Sequence, residues 1–482
     1  MDDIDILIIG AGTAGMPCAI EAVAAGARVL VVEQAAVPGG TLHVTLAQMS
    51  GAGTRRQRER GITDTPADHQ ADIERISRGT SRSDLLDRVT PLQPLAVDWL
   101  MDHGFQMDPS CPQILYLHEA YRTPRTYWGV NRGISVLEVL RPLFDAAMAQ
   151  PGSLVRYRTE AVSLITAPGA SGAVTGAVLR DLDTGRETPV HARAVVMASG
   201  GYGGNPDLFA RWTNGRKLYT AAMETSTGAG IAMAEAIGAA VSGQDMFLPT
   251  YAGVVEQPGG HRIVWDHMPL LTPQGRQPWE LHLTPEGRRF VQEDVDSVDA
   301  RERALNDLPG LSFWCVFDDA IWAEAPPLLP GWSRDDLAGA WQDHASFVTA
   351  ATLDGLARAT GMDAAVLAET VAAYNAARTS GAPDPMGRTH RPRPISGPGF
   401  RAILMHGMVL KTPAGLAVDT ELRVLDTAGT PIANLYALGE AMGGSTLSGK
   451  AFVGGMSVTP ALAFGRWLGT TLGALMQAER GA

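Results

Sequence analysis

Three glycines and one acid near the start of the chain have the spacing of a nucleotide-binding turn. Gly10, Gly12 and Gly15 follow the apolar residues 6–9. Glycines at this spacing allow a tight strand-to-helix turn, let a pyrophosphate approach the backbone, and let the helix pack closely on the strand. Glu33 ends the next apolar run, where a carboxylate accepts hydrogen bonds from ribose hydroxyls. The pattern predicts a dinucleotide site; the alternative is an ordinary turn with a solvated Glu33.

A second group of residues could bind and activate a carbonyl compound. Phenols, an imidazole and cations cluster in "YLHEAYRTPRTYWG" and recur later; they are Tyr116, His118, Tyr121, Arg125, Tyr127, Tyr251 and Arg301. A phenol or cation that hydrogen-bonds a ketone stabilises the enolate formed when a neighbouring C–H bond is deprotonated. We predict four catalytic candidates: Arg301, Tyr121, Tyr127 and Tyr251. The alternative is a core ring for each tyrosine, and a solvated helix start for Arg301.

The composition limits the class of protein. With 482 residues, of which 45% are hydrophobic and 19% charged, the chain predicts a globular protein with a large core. Its net charge of −12 gives no overall basic surface for nucleic acid or anionic lipid. The cysteines Cys18, Cys111 and Cys315 lack metal-ligand spacing, so we expect neither a disulfide framework nor a metal site. Without an apolar span or a cleavable leader, we expect a cytoplasmic protein.

The periodicity of apolar residues predicts the elements that position these groups. Helical spacing occurs at 13–26 and 136–149, and 351–378 reads as two helices around a Gly-Met-Asp turn. Residues 154–201 predict an antiparallel excursion that returns to the sheet. The Pro- and Gly-rich stretch 380–399 predicts a linker and a domain boundary near residue 400.

Further motifs follow the glycine turn in a characteristic order. They are "PGGTLHVTLAQMSGAGT" (38–54), "AVVMASGGYGGN" (194–205), "TSTGAGIAMAEAIGAA" (225–240), "TPEGRRFVQE" (284–293), "IANLYALGEAMGG" (432–444) and "GGMSVTPALAFGRWLG" (454–469). Together they resemble the fumarate reductase/succinate dehydrogenase flavoprotein superfamily, and in character its soluble 3-ketosteroid dehydrogenase-like members. The resemblance covers nearly the whole chain. It implies an α/β fold: a Rossmann-like FAD-binding domain (1–244 and 401–482) with an inserted α+β capping domain (245–400).

The resemblance also implies FAD as the cofactor. Glu440 would accept hydrogen bonds from the ribityl chain, although a helix cap is the alternative role. A helix starting within 454–462 would direct its N-terminal dipole at the flavin pyrimidine. The predicted cofactor-binding residues are Gly10, Gly12, Ala14, Gly15, Glu33, Gly40, Thr41, His43, Ala198, Gly200, Gly201, Glu440, Ser457 and Val458.

His43 raises the question of a covalent bond to the cofactor. Some relatives join FAD to a histidine in this glycine-rich crossing, and "TLHVTLAQMS" contains one. A gapless comparison ending at Met49 leaves His43 about two residues from the attachment position. A polar residue that lines the flavin is the alternative.

Departures from the superfamily indicate the substrate. Leu248 stands where fumarate-handling members carry a histidine before Pro-Thr, and Lys411 stands where they carry a second one. Phe452 replaces the expected arginine, with Lys450 slightly upstream. These four are the predicted substrate-binding residues. Because apolar walls replace dicarboxylate ligands, we expect a substrate that is less charged and bulkier than fumarate.

These features predict an FAD-dependent oxidoreductase that acts on a CH–CH or C=C bond beside a carbonyl. We expect it to desaturate a cyclic ketone, with Arg301 near the position of the relatives' proton-transfer arginine, hydride passing to flavin N5, and an external electron acceptor. Three alternatives stay open. They are an enone or fumarate-type reductase, a flavin oxidase or hydroxylase, and a flavin-binding protein without catalysis.

Overall fold

Two principal sheets with separate hydrophobic cores organise the computed structural model, which describes residues 4–168 and 172–481. The strands, numbered along the chain, are β1 (Ile4–Ile9), β2 (Val29–Val32), β3 (Met49–Ser50), β4 (Thr126–Tyr127), β5 (Leu154–Arg156), β6 (Thr159–Thr166), β7 (Val174–Asp181), β8 (Glu187–Met197), β9 (Val241–Ser242), β10 (Thr250–Gly253), β11 (Leu281–Leu283), β12 (Ser312–Asp318), β13 (Phe347–Ala350), β14 (Phe400–Met408), β15 (Gly415–Leu416), β16 (Arg423–Leu425) and β17 (Pro431–Ala437).

Helices cover both sheets and fill the connections between their strands. The α-helices are α1 (Gly15–Ala24), α2 (Arg55–Glu59), α3 (Pro66–Ser77), α4 (Ser83–Val89), α5 (Leu92–Asp102), α6 (Arg132–Met148), α7 (Pro206–Trp212), α8 (Ala229–Glu235), α9 (Val298–Asn306), α10 (Asp319–Glu324), α11 (Arg334–Asp343), α12 (Leu353–Thr360), α13 (Ala364–Ser380), α14 (Ser445–Ser448) and α15 (Val458–Gly481). Short 3-10 helices lie at Gly40–His43, Trp265–His267, Pro309–Leu311 and Gly439–Met442. The helices predicted from periodicity correspond to α1, α6, α12 and α13.

The first sheet has the order β16-β17-β8-β1-β2-β5. Strands β17, β8, β1, β2 and β5 are parallel, and β16 runs antiparallel at one edge. Every residue of β1 and β2 is buried, as expected for β-branched runs covered on both faces. The predicted antiparallel excursion is confirmed: β6 pairs with β7, and β7 pairs with the first half of β8, whose second half lies beside β1.

Helices α1 and α15 pack closely because glycines line their contact. A Cβ added at Gly465 would lie 2.5 Å from the Ala14 carbonyl oxygen, and one at Gly469 would lie 2.3 Å from the Cys18 carbonyl oxygen. Small residues allow such backbone-to-backbone approach. This packing fixes the last long helix of the chain against the first, on one face of the parallel sheet.

The second sheet is antiparallel, with β10, β14, β12 and β11 in that order and β13 also paired to β14. Its core draws on residues 251–405. We propose that this sheet and its helices form the capping domain. Strand β14 crosses the predicted boundary at 400/401, because it runs to Met408 and belongs entirely to the second sheet, so we propose a boundary after Met408. Val409 is the next residue and packs in the first core.

None of the described helices is both long enough and apolar enough to cross a membrane. The cytoplasmic location stays a prediction.

Arg125 joins two carboxylates inside the first core. Its Nε and Nη2 donate to Asp64 at 2.9 and 2.8 Å, and its Nη1 donates to Asp72 at 2.8 Å. All three side chains are no more than 2% exposed. Removing the cation would leave the buried Asp64 carboxylate without its charged partner and Asp72 with Arg75, at 3.0 Å, as its close cation, which is far more costly than losing an exposed pair. Arg125 therefore has a structural role.

We expect Arg125→Met to lower the free energy of unfolding by about 3–5 kcal/mol, measured by denaturant unfolding. Arg180→Met is the matched control, because Arg180 forms an ion pair with Glu187 on the surface. If Arg125→Met lowers the free energy of unfolding no more than the control does, the buried group of Arg125, Asp64 and Asp72 does not stabilise the fold.

Candidate active site

A cavity of about 340 Å³ lies at the carboxyl ends of the parallel strands. Residues that directly follow four of these strands line it: Gly10 after β1, Glu33 after β2, Ala198 after β8, and Leu438 after β17. In open α/β sheets, ligands bind at this edge. The sheet order thus brings the N-terminal glycine turn together with residues near the end of the chain.

The three glycines of the first turn have different surroundings. Gly10 has φ +107°, and a Cβ there would lie 2.4 Å from the Ala198 carbonyl oxygen. A Cβ at Gly15 would lie 1.9 Å from the Gly10 carbonyl oxygen. At Gly12 an added Cβ would meet nothing within 4 Å, although Gly12 lines the cavity. Gly10 and Gly15 are thus needed for packing, whereas Gly12 leaves room for a ligand.

Glu33 holds the glycine turn and keeps capacity for a ligand. Its Oε2 accepts from the Ala11 N–H at 2.8 Å, and its Oε1 accepts from the Ala35 N–H at 2.9 Å. Each carboxylate oxygen has a further lone pair. Since Glu33 lines the cavity, it can also accept a hydroxyl hydrogen bond from a sugar.

Glu440 lines the cavity with one oxygen engaged by the protein. The backbone N–H and the hydroxyl of Thr412 donate to Glu440 Oε1 at 2.6 and 2.7 Å. Among the described residues, Oε2 has no hydrogen-bond partner. Burial raises the pKa of Glu440, and the Thr412 hydrogen bonds and Lys411 oppose that shift. The arrangement suits an acceptor for ligand hydroxyls.

The start of α15 also faces the cavity. Gly455, Ser457 and Val458 line it, and α15 begins at Val458. The first N–H groups of a helix have no partner within the helix, and the helix dipole is positive at this end. This end of the cavity is therefore suited to negative charge.

A smaller recess adjoins the cavity, and Lys411 and Phe452 line both. Leu248 lines the recess. Three of the four predicted substrate-binding residues thus lie together. Lys450 lines neither space: its N–H donates to Thr80 Oγ1 at 2.8 Å, and its carbonyl accepts from Arg303 at 2.9 Å. Substrate binding by Lys450 stays a prediction, and its backbone ties the loop to neighbouring residues.

Lys411 is a cation held among mostly uncharged groups. Its Nζ donates to Ser448 Oγ at 2.7 Å and lies 4.7 Å from the centroid of the Phe452 ring. Burial lowers the pKa of Lys411 to about 8, with the charges of Glu440 and Glu302 opposing the shift. The ammonium is therefore charged at neutral pH and loses its proton in mildly alkaline solution.

His118 lies on the cavity wall beside these residues. Its ring stacks on Phe452 with centroids 3.5 Å apart, and its Nδ1 lies 3.4 Å from Glu302 Oε1. Burial lowers the pKa of His118, and the Lys411 charge lowers it further. Burial raises the pKa of Glu302. Sequence reasoning placed His118 in the polar cluster without selecting it, and missed Glu302 because a single acid in a charged helix carries no local signal.

None of the four predicted catalytic residues lines the cavity or the recess among the described residues. The Tyr121 hydroxyl donates to the Gly454 carbonyl at 2.6 Å. The Tyr127 hydroxyl lies 2.6 Å from Thr54 Oγ1 in the first core. Both rings are buried, so the core alternative describes them.

Tyr251 and Arg301 lie together in the second core. The Tyr251 hydroxyl is 2.8 Å from His282 Nδ1, and the Arg301 guanidinium lies 5.5 Å from the Tyr251 ring centroid. Arg301 Nη1 donates to the Leu271 carbonyl, while Nε and Nη2 are buried without a partner in the described part of the chain. Arg301 is therefore not on a solvated helix face, nor is it on the cavity wall.

The sequence profile of the FAD binding domain family matches residues 5–458. The chain belongs to this family. FAD is thus the cofactor of this protein, and its relatives are FAD-dependent oxidoreductases that act on C=C bonds. The resemblance drawn from the order of the motifs is confirmed, as is the fold class.

Two named relatives and one solved structure illustrate the likeness. A probable fumarate reductase of Shewanella frigidimarina (strain NCIMB 400) is 29% identical over 469 residues, covering 96% of this chain and 74% of the relative. The 4-oxocyclohex-2-ene-1-carboxylate 5-dehydrogenase of Sinomonas cyclohexanicum is 25% identical over 581 residues, covering 98% and 94%. The structure of a 3-ketosteroid delta1-dehydrogenase from Sterolibacterium denitrificans has a TM-score of 0.79 at 20% identity, covering 98% and 99%. The likeness to this dehydrogenase structure shows that the two proteins share a fold.

The residues around the cavity fit FAD. Open space at Gly12 and Gly200, where a Cβ would meet nothing within 4 Å, can accept the pyrophosphate. Glu33 and Glu440 retain acceptor capacity for ribose and ribityl hydroxyls. We propose that the predicted residues on the cavity wall hold FAD: Gly10, Gly12, Ala14, Glu33, Gly40, Thr41, Ala198, Gly200, Glu440, Ser457 and Val458.

Three predicted cofactor-binding residues are absent from the cavity wall. Gly15 packs against Gly10, and a Cβ at Gly201 would meet Thr412 Oγ1 at 2.2 Å, so both support the wall from behind. His43 ends the 3-10 helix, is exposed, and its Nε2 lies 3.0 Å from the Pro38 carbonyl oxygen. The contact of His43 with FAD and a covalent bond there stay predictions, although His43 does not line the cavity.

Proposed function

We propose that this flavoprotein desaturates a cyclic ketone, ketosteroid-like or smaller, at the CH–CH bond beside its carbonyl. The observation that carries the proposal is Lys411, a single half-buried cation on the Phe452 ring where the recess meets the FAD cavity. A cation in an apolar site suits one carbonyl oxygen. A dicarboxylate would require a second set of charged ligands.

Each residue of the recess has a role in this proposal. The Lys411 ammonium hydrogen-bonds the ketone oxygen and stabilises the enolate that forms on loss of the α-proton. Phe452 and Leu248 pack against the apolar ring, with about 1.5–3 kcal/mol available from each fully buried side chain of this size. When bound, FAD accepts the hydride from the β-carbon. We propose an external electron acceptor to reoxidise the flavin.

The two named relatives support opposite directions of one chemistry. One is a dehydrogenase of a cyclic enone by name, and this favours desaturation of a ketone. The other is named a fumarate reductase, so reduction of an enone by the same site is the second candidate. Lys411 would stabilise the same enolate in either direction.

Anaerobic stopped-flow spectroscopy of the flavin tests the proposal. We expect cyclohexanone or 5α-androstane-3,17-dione to bleach the oxidised flavin of the holoenzyme. Fumarate should reoxidise the photoreduced flavin slowly, if at all. Reoxidation by cyclohex-2-en-1-one or androst-4-ene-3,17-dione, without bleaching by either saturated ketone, would establish the reductase instead. Rapid reoxidation in air would indicate an oxidase, and the absence of any reaction would refute both candidates.

A further inference from the structure

His118 and Glu302 form a buried pair on the wall of the cavity. Their side chains are 3% and 1% exposed, and His118 Nδ1 lies 3.4 Å from Glu302 Oε1. The opposite ring nitrogen, Nε2, has no hydrogen-bond partner among the described residues, although the ring lines the cavity. The pair thus holds one edge of the imidazole toward the protein and leaves the other edge available to a ligand.

Two contacts place the pair beside the predicted flavin end of the cavity. Glu119, the residue after His118, forms a parallel bridge with Val453, just before the turn that precedes α15. The His118 ring stacks on Phe452, and the Lys411 ammonium lies 4.7 Å from the centroid of the same Phe452 ring. A substrate oxygen held by Lys411 would therefore place the carbons beside that oxygen near His118.

We propose that His118 is a catalytic residue that exchanges a proton with the α-carbon of the substrate, and that Glu302 is the positioning residue behind it. The inference rests on the proposed function, which requires a proton acceptor for desaturation or a proton donor for reduction. A residue on the cavity wall satisfies that requirement. Arg301, the expected proton-transfer residue, lies off the wall.

The protons of this step balance within the pair. In desaturation, the Cα–H bond breaks, its electron pair forms the enolate, and the proton bonds to Nε2 of His118. The proton on Nδ1 then moves to the Glu302 carboxylate, so the imidazole stays neutral. The enolate electrons form the new C=C bond as hydride leaves the β-carbon for oxidised FAD. The pair afterwards returns its proton to solvent, and reduction is the reverse.

Glu302 makes this transfer favourable beside a cation. An imidazolium at His118 would be repelled by Lys411, whereas a neutral imidazole with a protonated Glu302 is not. Burial and the nearby carboxylates raise the pKa of Glu302, which favours its protonated form. The charged or titratable groups that act on the pair are Lys411, Arg301, Asp299 and Glu119.

The pH dependence follows from these directions. Below the pKa of the pair, Glu302 holds the extra proton and Nε2–H is a donor, which serves reduction. Above it, Nε2 is an acceptor, which serves desaturation. We expect the rate of desaturation to rise with pH as the pair loses its proton. The rate of reduction should fall over the same range. Lys411 loses its charge at about pH 8, so desaturation should fall again on the alkaline side.

Two substitutions and a control test the assignment in the holoenzyme. With whichever ketone or enone of the panel reacts, His118→Gln should lower kcat by about 100-fold or more, with little change in KM, and remove the acid limb of the pH profile. Glu302→Gln keeps a hydrogen-bonding group but cannot take a proton. This variant should therefore lose less kcat than His118→Gln, and the acid limb of its pH profile should also disappear. Glu21→Gln is the control: its carboxylate accepts a hydrogen bond from Arg466 at 2.6 Å, it does not line the cavity, and its profile should match the wild type.

Histidine-selective ¹⁵N NMR of the FAD-loaded protein gives a readout that requires no turnover. The His118 signals are assigned by their absence from His118→Gln. We expect a proton on Nε2, with Nδ1 as acceptor, at the acid end of the titration, and loss of that state as the pH rises. In Glu302→Gln the titration should vanish.

Each outcome decides a different point. A wild-type pH profile and kcat in His118→Gln would overturn the role of His118, as would an Nε2 that carries no proton at any point of the titration. Reaction of none of the panel compounds, combined with the expected NMR titration, would refute the proposed substrates and leave the proton-exchanging pair supported.

Discussion

Gly12→Val should give a folded protein that carries no FAD. The backbone at Gly12 has no left-handed φ, and an added Cβ would meet nothing within 4 Å, so the valine fits the protein itself. It would instead occupy the space on the cavity wall that the pyrophosphate needs. The purified variant should lack the flavin absorbance while retaining the circular dichroism of the wild type.

Gly339→Val is the matched control, because Gly339 lies in α11, also has open space at its Cβ, and does not line the cavity. This variant should remain fully yellow. A folded Gly12→Val protein that retains a full complement of FAD would show that the dinucleotide lies elsewhere.

Lys411→Met should retain FAD but lower kcat/KM for the responsive ketone or enone by about 10²–10³-fold. The ammonium is the cation that the proposed function places at the developing enolate, and loss of one such donor typically has this effect. Methionine keeps an unbranched apolar side chain, one atom shorter than lysine, and removes only the charged end. The measurement is flavin bleaching or reoxidation under single-turnover conditions.

The wild-type protein should show the same interaction through its pH dependence. Because the pKa of Lys411 is lowered to about 8, the charge is present below that pH and lost above it. The resulting fall in kcat/KM should be absent from Lys411→Met. Ser448→Ala, which removes only the 2.7 Å hydrogen bond to Nζ, should retain the fall. Equal rates for wild type and Lys411→Met would refute the role of this cation.

The cofactor site was predictable from sequence because its residues follow strands. Gly10, Glu33, Ala198 and Glu440 each come directly after, or within three residues of, a strand of the first sheet. Since these strands are parallel, their carboxyl ends meet at one edge of the sheet.

The catalytic prediction could not be made in this way, because the direction of a side chain in a loop depends on tertiary packing. In "YLHEAY", His118 faces the cavity while Tyr121 donates to the Gly454 carbonyl, and nothing in their spacing distinguishes them. Glu302 becomes informative only when α9 places it against His118.

Strand β14 crosses the predicted boundary near residue 400 for a similar reason. The Pro- and Gly-rich stretch 380–399 has the composition of a linker, but buried polar contacts fix it to the second sheet. Arg388 donates to the Glu280 carbonyl at 2.6 Å, and Asp294 accepts from the Thr389 and His390 N–H groups at 2.7 and 2.8 Å. Composition does not reveal such contacts.

The position of β17 has a consequence for the newly made chain. This strand pairs with β8 in the first sheet, yet the ribosome adds it only after the whole of the second sheet. Until residues 431–437 emerge, the second half of β8 lacks the strand partner that β17 provides, and Glu440 and the start of α15 do not yet exist. The second sheet can therefore form before the flavin site is complete. A nascent chain halted before residue 431 would offer the adenosine side of the site but not the flavin side.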